Sequence, residues 1–390
     1  MHSSGAVFIT GTSAFLPNAP VGNDDIESVL GMVGGKPSRA RRVVLRSNGI
    51  RQPHYAIDPA SGGFTHSNAQ LTAEAIRLLQ SSGLDTARID LLACGTSCPD
   101  QLMPNHGVMV HGELGNPPCE VIATGGICVS GLTALKYAWL SVLAGEARCA
   151  VATGSERASG GLLARNFEAE SAAKLAALET NPEIAFEKDF LRWMLSDGAG
   201  ACLLEAQPRA DGPSLRIDWI DILSQANSNE TCMYAGGEKA ADGQLKGWQE
   251  FTQDEWARHS VFAVKQDVRL LNEAVVEQTL GKTIAHVVPR RGLRADQIDW
   301  FLPHMSSEFF RQPMIDCMQA AGFTIPQDKW FTNLHSKGNT GSASIYIMLD
   351  ELFRSGQLRD GQRILCFVPE SGRFTGAFMH LTVVGASRHA

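Results

Sequence analysis

The sequence has no uninterrupted apolar run long enough to span a membrane. Its first residues, MHSSG, contain no basic region leading into a signal core. Positive charge is not in excess either, because 34 Lys and Arg residues face 41 Asp and Glu residues, for a formal net charge of −7. These absences argue against a membrane protein and against an enzyme that works on nucleic acid. We expect a cytoplasmic protein.

Cysteine is present, but without the spacing of a disulfide framework or a metal site. The nine cysteines are odd in number and include no C-x-x-C pair, which favours reduced thiols. Cys94 and Cys98 are four residues apart, and no second pair follows them. We therefore expect no bound metal.

What the chain does contain is an internal repeat. Residues 83–90 (GLDTARID) and 292–299 (GLRADQID) share their first two residues and their final Ile-Asp pair. Each segment follows an apolar helical stretch and precedes a short apolar strand, and each half continues into a glycine-flanked helix and another buried strand. The paired ranges are 71–79 and 275–288 for the helical stretch, 91–94 and 300–302 for the first strand, and 150–153 and 364–368 for the second, with the glycine-flanked helices following Cys128 and Gly341.

This order of elements predicts an α/β fold with two stacked repeats. A chain of 390 residues, 44% hydrophobic and 19% charged, is long enough for two such units. We place the first half at residues 1–206 and the second at 207–390, with a helical insertion at about 157–190. Residues 227–246 are polar and rich in glycine, so we expect a mobile loop or lid there. These last two regions are expected to supply the walls of a substrate tunnel.

A glycine-rich turn, residues 123–131 (ATGGICVSG), places Cys128 at the start of a predicted buried helix that ends at Gly145. The unpaired N–H groups and the positive dipole end at a helix start favour a thiolate over a thiol. Small neighbours leave room for a substrate. Cys128 is therefore a candidate nucleophile, and a buried structural cysteine is the alternative.

Two polar residues of the second half are candidate partners for Cys128. His304 follows a buried strand (WFLPHMSS, residues 300–307), and Asn339 lies in a small-residue turn that opens the second-half helix (residues 338–344, GNTGSAS). Under the repeat, Asn339 and Cys128 take comparable positions, so the two helix starts are expected to face one cavity, with His304 at a strand end beside it. The alternatives are a structural histidine and a simple helix cap.

The order Cys, His, Asn in a duplicated α/β chain resembles the thiolase-fold condensing enzymes, and most closely their β-ketoacyl-ACP synthase III branch. The resemblance covers nearly the full length and implies a thiolase-like duplicated fold with five αβαβα layers. Its motifs are residues 8–17 (FITGTSAFLP) for the first strand and turn, 46–51 (RSNGIR) for the family's RTGIR, 196–201 (SDGAGA) for GDGAG, and 338–344 for GNTSAAS.

The resemblance also implies a mechanism. Cys128 would attack an acyl thioester to give an acyl-enzyme, and the backbone N–H groups of Cys128, Ser371 and Gly372 would hold the oxyanion of that transfer. His304 and Asn339 would donate hydrogen bonds to the thioester oxygen of the second substrate while its α-carbon carries negative charge. Claisen condensation then forms the carbon–carbon bond.

Three departures from the family pattern point to a specialised branch. The family's HQAN is here HMSS (residues 304–307), its C-terminal glycine-rich turn is ESGR (residues 370–373), and Arg42 replaces a tryptophan that stacks on the nucleotide in acetyl-CoA users. At these positions the chain is similar to the ketosynthase–cyclases that make dialkylresorcinols and cyclohexanediones in secondary metabolism. The resemblance thus implies that a β-ketoacyl-ACP joins an unsaturated acyl thioester and that the product closes to a ring.

The remaining expectations concern charged residues and partners. Glu156 and Glu308 are candidate auxiliary bases if they face the cavity; otherwise they are solvated or salt-bridged carboxylates. Arg42 and Arg46, in a basic cluster, would suit an acyl carrier protein or the phosphate of phosphopantetheine, or form a solvated charged edge. The family implies a homodimer, acyl thioesters carried on the phosphopantetheine of a carrier protein or CoA, and no other cofactor.

Three alternative functions stay open at this point. One is a β-ketoacyl-ACP synthase III that uses malonyl-ACP to initiate fatty-acid synthesis. Another is an acyltransferase to oxygen or nitrogen, which would not need the enolate donor Asn339. The last is a non-catalytic partner subunit; such subunits tend to lose the cysteine or histidine, and this chain keeps both.

Overall fold

Thirteen strands and twelve α-helices make up the described part of the chain. The computed structural model describes residues 5–38, 41–167 and 191–385. The strands are β1 (Phe8–Phe15), β2 (Leu91–Thr96), β3 (Glu120–Gly125), β4 (Cys149–Glu156), β5 (Gly198–Glu205), β6 (Ser214–Ser224), β7 (Met233–Tyr234), β8 (Gly237–Lys239), β9 (Leu245–Gly247), β10 (Lys265–Gln266), β11 (Trp300–Pro303), β12 (Arg363–Glu370) and β13 (Thr375–Val384). The helices are α1 (Ile26–Leu30), α2 (Arg41–Asn48), α3 (Asn68–Leu78), α4 (His106–Leu114), α5 (Val129–Ala144), α6 (Ser159–Leu162), α7 (Gln253–Arg258), α8 (Val268–Val276), α9 (Lys282–Arg291), α10 (Arg311–Ala320), α11 (Leu334–Lys337) and α12 (Ser344–Arg354).

The strand order confirms the predicted duplication. The first half runs β1-β5-β4-β2-β3 and the second runs β6-β13-β12-β11. In each series the first two pairings are antiparallel and the third is parallel. The two series join only through β1 and β6, at two residue pairs. The exact division at residues 206 and 207 stays a prediction; β5 ends at Glu205 and β6 begins at Ser214.

The nine strands of the two series form one continuous sheet. Its two halves, the first sheet and the second sheet, stack with three helical layers in the predicted αβαβα order. Helices α5 and α12 lie between the sheets, α5 against β2 and β4 on one side and β12 and β13 on the other. Helices α3 and α4 cover the outer face of the first sheet. Helices α8 and α9 cover the second, joined by a π-helical turn (Glu277–Gly281), and α10 packs against them. α5 can occupy the middle layer because apolar side chains surround most of it.

The starts of helices α5 and α12 approach each other closely, and two glycines make this approach possible. A Cβ atom on Gly131 of α5, or on Gly154 of β4, would clash with the carbonyl oxygen of Ser342, just before α12. The hydroxyl of Tyr346 on α12 also donates to the carbonyl of Gly131 at 2.8 Å. The absence of side chains on these glycines therefore lets the two halves meet where the candidate residues lie.

Part of the predicted loop at residues 227–246 is folded into strands. β7 pairs with β10, and β8 pairs with β9, in two small antiparallel sheets. Strands of two or three residues are too short to show an alternating pattern, which is why the sequence indicated only a loop. The insertion predicted at 157–190 begins with α6, and its residues 168–190 lie outside the described residues. No helix within the described ranges is long and apolar enough to cross a membrane.

Candidate active site

A cavity of about 560 Å³ lies where the two halves meet. Residues of both halves line it, and among them are Cys128, His304 and Asn339. The structure therefore brings together the three side chains that the repeat predicted to share a cavity. Their catalytic roles are taken up below as a proposal.

Cys128 is the N-cap residue of α5, directly after the turn that follows β3. Side chains within the turn fix its path. The hydroxyl of Thr124 donates to the carbonyl of Ser130 at 2.7 Å, and the hydroxyl of Ser130 donates to the carbonyl of Ile127 at 2.7 Å. The cysteine is thus positioned at the start of the helix. It is partly exposed and lines the cavity.

The expectation that this helix start favours a thiolate is wrong. Burial raises the pKa of the Cys128 thiol far above its usual range, and the nearby carboxylates of Glu156 and Glu370 raise it further. The helix start is already occupied by an anion. Glu370 accepts hydrogen bonds from the N–H groups of Ile127, at 3.3 Å, and Val129. These surroundings favour the neutral thiol of Cys128 over the thiolate, so a proton acceptor is needed as the sulfur reacts.

Asn339 is positioned by backbone contacts with the first half. Its N–H donates to the carbonyl of Met194 at 3.3 Å, and its carbonyl accepts from Ser196 at 2.8 Å. Its side-chain oxygen Oδ1 accepts from the N–H of Gly341 at 3.0 Å. Because Oδ1 is used in this way, the side chain is oriented with its donor atom Nδ2 as the end for binding a carbonyl oxygen.

His304 follows β11, and its N–H donates to the carbonyl of Phe367 on β12 at 2.8 Å. The residue is buried, and burial lowers the pKa of its imidazole to about 4. At neutral pH the ring is uncharged, so it carries one N–H donor. His304 and Asn339 can therefore supply two neutral donors to one oxygen atom.

Glu156 is one of the two candidate bases, and the structure places it in the cavity wall. It ends β4 and accepts from the hydroxyl of Ser97 at 2.6 Å, from the N–H of Ser97 at 3.1 Å and from the N–H of Ser342 at 3.1 Å. The thiol of Cys98 also hydrogen-bonds to it. Burial raises the pKa of Glu156, although these donors oppose the shift. Cys98 itself lines the cavity, which the sequence did not indicate.

Glu308, the other candidate base, does not meet its condition of facing the cavity. It is not among the residues that line the cavity. Its carboxylate forms an ion pair with Arg311 and lies 3.2 Å from Nε2 of His335. Burial alone would raise the pKa of Glu308, but Arg311 and His335 outweigh it and lower the pKa. Glu308 is therefore a salt-bridged carboxylate beside the site.

Glu370 is the residue that sequence reasoning missed. It ends β12 as Glu156 ends β4, and β12 and β4 take corresponding places in the two halves. Each carboxylate accepts hydrogen bonds at the helix start of the opposite half, Glu156 from Ser342 and Glu370 from the turn at Cys128. Extending the repeat to the ends of these strands would have paired the two glutamates.

The turn between β12 and β13 also lines the cavity, including Ser371 and Gly372. Its carbonyl oxygens accept hydrogen bonds from backbone N–H groups at the start of β7. Ser371 accepts from the N–H of Met233 at 3.1 Å, and Gly372 accepts from the N–H of Cys232 at 2.8 Å. The turn is thereby anchored next to Cys128. Its N–H groups, with that of Cys128, stay predicted oxyanion donors.

Most of the remaining cavity wall is apolar. It is formed by side chains of the second half's outer helices and by residues at and near the small sheets. They include Met233, Leu245, Leu271, Val275, Val276, Leu280, Phe310 and Met314. Such a wall suits an acyl chain and excludes water from the polar end.

Arg42 and Arg46 lie outside this cavity. They are exposed four residues apart on α2, which places them on the same face of that helix. Helix α2 packs beside the 3₁₀ turn Glu308–Phe310, and Phe310 lines the cavity. The two arginines are therefore placed for a partner at the surface rather than for the reacting atoms. Among the described residues, no cluster of three or more His, Cys, Asp or Glu side chains could hold a metal ion.

Comparisons with known proteins agree with this geometry. Residues 288–380 match the family model 3-oxoacyl-[acyl-carrier-protein (ACP)] synthase III C terminal, and residues 120–210 match the model beta-ketoacyl synthase, N-terminal domain. The chain is 25% identical over 366 residues to the beta-ketoacyl-[acyl-carrier-protein] synthase III of Xanthomonas oryzae pv. oryzae, covering 92% of each chain. It is 27% identical over 360 residues to that of Neisseria meningitidis serogroup C, covering 92% of this chain and 93% of the relative.

A solved structure shows the same fold. The tetronic acid condensing enzyme AbyA1 superposes with a TM-score of 0.73 at 20% identity, covering 96% of this chain and 99% of that one. A sequence identity of 20% supports a shared fold and no shared activity. The matched segments contain Cys128, His304 and Asn339, the three polar residues that meet in the cavity. In sequence and in fold, the chain is thus similar to the thiolase-fold condensing enzymes of the β-ketoacyl-[acyl-carrier-protein] synthase III type.

Proposed function

We propose that the chain is a ketosynthase–cyclase, which joins a β-ketoacyl-ACP to an unsaturated acyl thioester and closes the product to a cyclohexanedione ring, the dialkylresorcinol-type skeleton before its two-electron oxidation. The observation that carries the proposal is a pair of carboxylates, the buried Glu156 and the half-buried Glu370, in the cavity with Cys128, His304 and Asn339. A condensation driven by loss of CO₂ needs no base to make its carbanion. A β-ketoacyl substrate that keeps its carboxyl carbon needs one.

In the first half-reaction, the sulfur of Cys128 attacks the unsaturated acyl thioester. The sulfur–carbon bond forms, the thioester bond to phosphopantetheine breaks, and the acyl group stays on Cys128. The N–H groups of Cys128, Ser371 and Gly372 are the proposed donors to the oxyanion that forms on the way. The apolar wall holds the acyl chain.

In the second half-reaction, the thioester oxygen of the β-ketoacyl substrate lies between His304 and Asn339. Glu156 is the proposed base for the α-proton, because it contacts Ser342, three residues from Asn339 and on the same turn. Removal of the proton places negative charge on the oxygen, where the two neutral donors stabilise it. The α-carbon then attacks the acyl carbon on Cys128, and the cysteine sulfur leaves and takes up the proton held by Glu156, so that the thiol and the carboxylate are both restored.

Ring closure uses the double bond of the unsaturated acyl group. A second carbanion of the joined chain adds to that double bond, and the proton that its carbon loses is returned to the product. Glu156 is placed to carry this proton as well. Exclusion of water by the apolar wall keeps the intermediate from hydrolysis before the ring forms.

The proposed partners follow from the surface. The exposed Arg42 and Arg46 are proposed to contact an acidic acyl carrier protein, whose phosphopantetheine delivers the substrates without a further cofactor. A homodimer is proposed through the β3 edge, because β3 is the terminal strand of its sheet. Helix α4 packs on β3, and Leu102 and Met103, in the segment that leads into α4, are 68% and 85% exposed. Light scattering after size exclusion tests this proposal, with a monomeric mass contradicting it.

A second candidate is a β-ketoacyl-ACP synthase III that condenses with malonyl-ACP. It is favoured by the curated relatives, which carry that name. In this case CO₂ leaves as the carbon–carbon bond forms, and neither Glu156 nor an unsaturated partner is needed.

One experiment separates the two candidates. The enzyme is incubated with β-ketoacyl-ACP or malonyl-ACP, each paired with a saturated and an unsaturated acyl thioester, and products are identified by mass and NMR. The proposal expects joining of β-ketoacyl-ACP and a ring only with the unsaturated partner. Product from malonyl-ACP alone, with release of CO₂, would overturn it in favour of the second candidate.

A further inference from the structure

We propose that Glu370 is the base that removes the thiol proton of Cys128 as the acyl-enzyme forms. The inference rests on the proposed function in one respect, that Cys128 is the acylated residue. It adds a catalytic group contributed by the second half of the chain to a nucleophile contributed by the first.

The carboxylate of Glu370 lies in a space kept open by glycines of both halves. A Cβ on Gly126 would come within 3.4 Å of its Oε2, and a Cβ on Gly372 within 3.3 Å of its Oε1. Oε2 also accepts from the N–H of Ile127 at 3.3 Å, and Val129 is a second backbone donor. The carboxylate therefore lies against the residues immediately before and after Cys128.

This placement changes what the helix start does for the thiol. The positive end of the 16-residue helix α5 is neutralised by Glu370, so it does not stabilise a thiolate on Cys128. The thiol keeps its proton until the substrate arrives. A base beside it can then take the proton at the moment when the sulfur–carbon bond forms.

The other titratable or charged groups around this site are poorer acceptors for that proton. His304 is buried, and its imidazole has a pKa of about 4, which makes it a weak base. Glu156 accepts hydrogen bonds from Ser97 and Ser342, whereas Glu370 accepts them from the residues directly before and after Cys128. The guanidinium of Arg373, on the same turn as Glu370, donates to the carbonyl of Asn229 and cannot accept a proton.

The proposed step balances in atoms and charge. The thiol proton moves to the Glu370 carboxylate as Cys128 sulfur bonds to the acyl carbon. When the thioester bond to phosphopantetheine breaks, the carboxylic acid returns the proton to the departing sulfur, which leaves as a thiol. Because Glu370 is neutral while the oxyanion exists, no second negative charge opposes the oxyanion in this low-dielectric site.

The test is the rate of acyl-enzyme formation, followed by rapid quench and intact-protein mass from pH 5 to 9. Glu370→Gln keeps the size of the side chain and an oxygen that can accept from Ile127, but it removes the base. Glu205→Gln, at the end of β5 and paired with Thr10 and Arg88, is the matched control. We expect Glu370→Gln to slow acylation at pH 7 by about 100-fold or more and the control to leave it unchanged.

The pH profile and the direction in which Glu370→Gln changes the acylation rate distinguish a base from a residue with a merely structural or electrostatic role. Acylation by wild type and by Glu205→Gln should rise with pH as Glu370 ionises, and Glu370→Gln should lack this rise. A bystander charge would instead raise the thiol's pKa, so its removal would speed acylation. A faster or unchanged rate in Glu370→Gln therefore overturns the proposal.

Two further variants, Glu370→Asp and Cys128→Ala, complete the experiment. Glu370→Asp keeps the carboxylate and should recover part of the rate and the pH dependence, and thermal melting shows whether each variant is folded. If Glu370→Gln is unfolded, a Glu370→Asp profile without the rise overturns the proposal. Acylation that persists in Cys128→Ala would mean that the proposed function has failed, whereas loss in Cys128→Ala with no effect of Glu370→Gln means that only this inference has failed.

Discussion

The starts of helices α5 and α12 occupy corresponding places in the two halves but carry different chemistry. The first presents the thiol of Cys128, and the second is preceded by the amide of Asn339. Each is contacted by a carboxylate from the end of a strand in the other half, Glu370 in one case and Glu156 in the other. Under the proposed function, this difference divides one reaction between the two halves, with acyl transfer at one helix start and carbanion stabilisation at the other.

The comparison is tested most strongly by removing the nucleophile. Cys128→Ala should abolish the acyl-enzyme and all product, because no other group at that helix start can hold the acyl chain. Cys317→Ala, a half-buried thiol that is not part of the cavity lining, should retain both. The effect is measured with a radiolabelled acyl donor and gel autoradiography. Labelling of Cys128→Ala equal to that of wild type would contradict the assignment of acyl transfer to the start of α5.

Removing the donor at the other helix start should have a large but partial effect. Asn339→Ala should lower the rate of condensation about 10²–10³-fold, or about 3–4 kcal/mol, because one hydrogen bond to the developing enolate is lost. Asn333→Ala, whose side chain bonds Glu351 instead, is the matched control. Product formation by liquid chromatography is the measurement. Near wild-type rates in Asn339→Ala would favour simple acyl transfer to oxygen or nitrogen.

The contact between the two helix starts can be forced open. Gly131→Ala should lower the free energy of unfolding by about 1–3 kcal/mol and reduce activity, because its new methyl group meets the carbonyl of Ser342. Gly112→Ala on α4 has open space around the added methyl and should be neutral or stabilising. Urea unfolding measures both variants. Equal stability of the two would show that the close approach is not required.

The smallest expected effect is at the surface. Reversing both charges with Arg42→Glu and Arg46→Glu should raise KM for carrier-bound substrate about tenfold, because an acidic carrier would be repelled. The same variant should use substrates on free pantetheine normally, since neither arginine lines the cavity. Steady-state kinetics with both forms of one substrate make the comparison. An equal rise of KM for both forms would contradict a carrier contact.

The duplicated fold and the meeting of Cys128, His304 and Asn339 could be predicted from the sequence. Short motifs with a fixed order specify the strands and turns, and corresponding turns of two repeats must come close if the repeats stack. The state of the Cys128 thiol could not be predicted in this way. A helix start favours a thiolate only if no other anion occupies it, and Glu370 comes from a strand more than two hundred residues further along the chain.

Two other details could not be predicted, for related reasons. Glu308 follows β11 closely, but whether its carboxylate turns inward depends on Arg311 and His335, which no local pattern reveals. The small strands β7 to β9 are set by pairing with neighbouring segments rather than by their own propensity. Proximity in sequence therefore predicted which elements meet, whereas side-chain partners across the two halves had to be observed.

The division of labour between the two helix starts is tested most directly by a chase of the acyl-enzyme. Wild-type enzyme and Asn339→Ala are loaded with acyl donor, the second substrate is added, and intact-protein mass is followed with time. The account predicts that both proteins take up one acyl group and that only wild type loses it rapidly. An Asn339→Ala enzyme that discharges its acyl group at the wild-type rate, or that cannot be loaded at all, would contradict it.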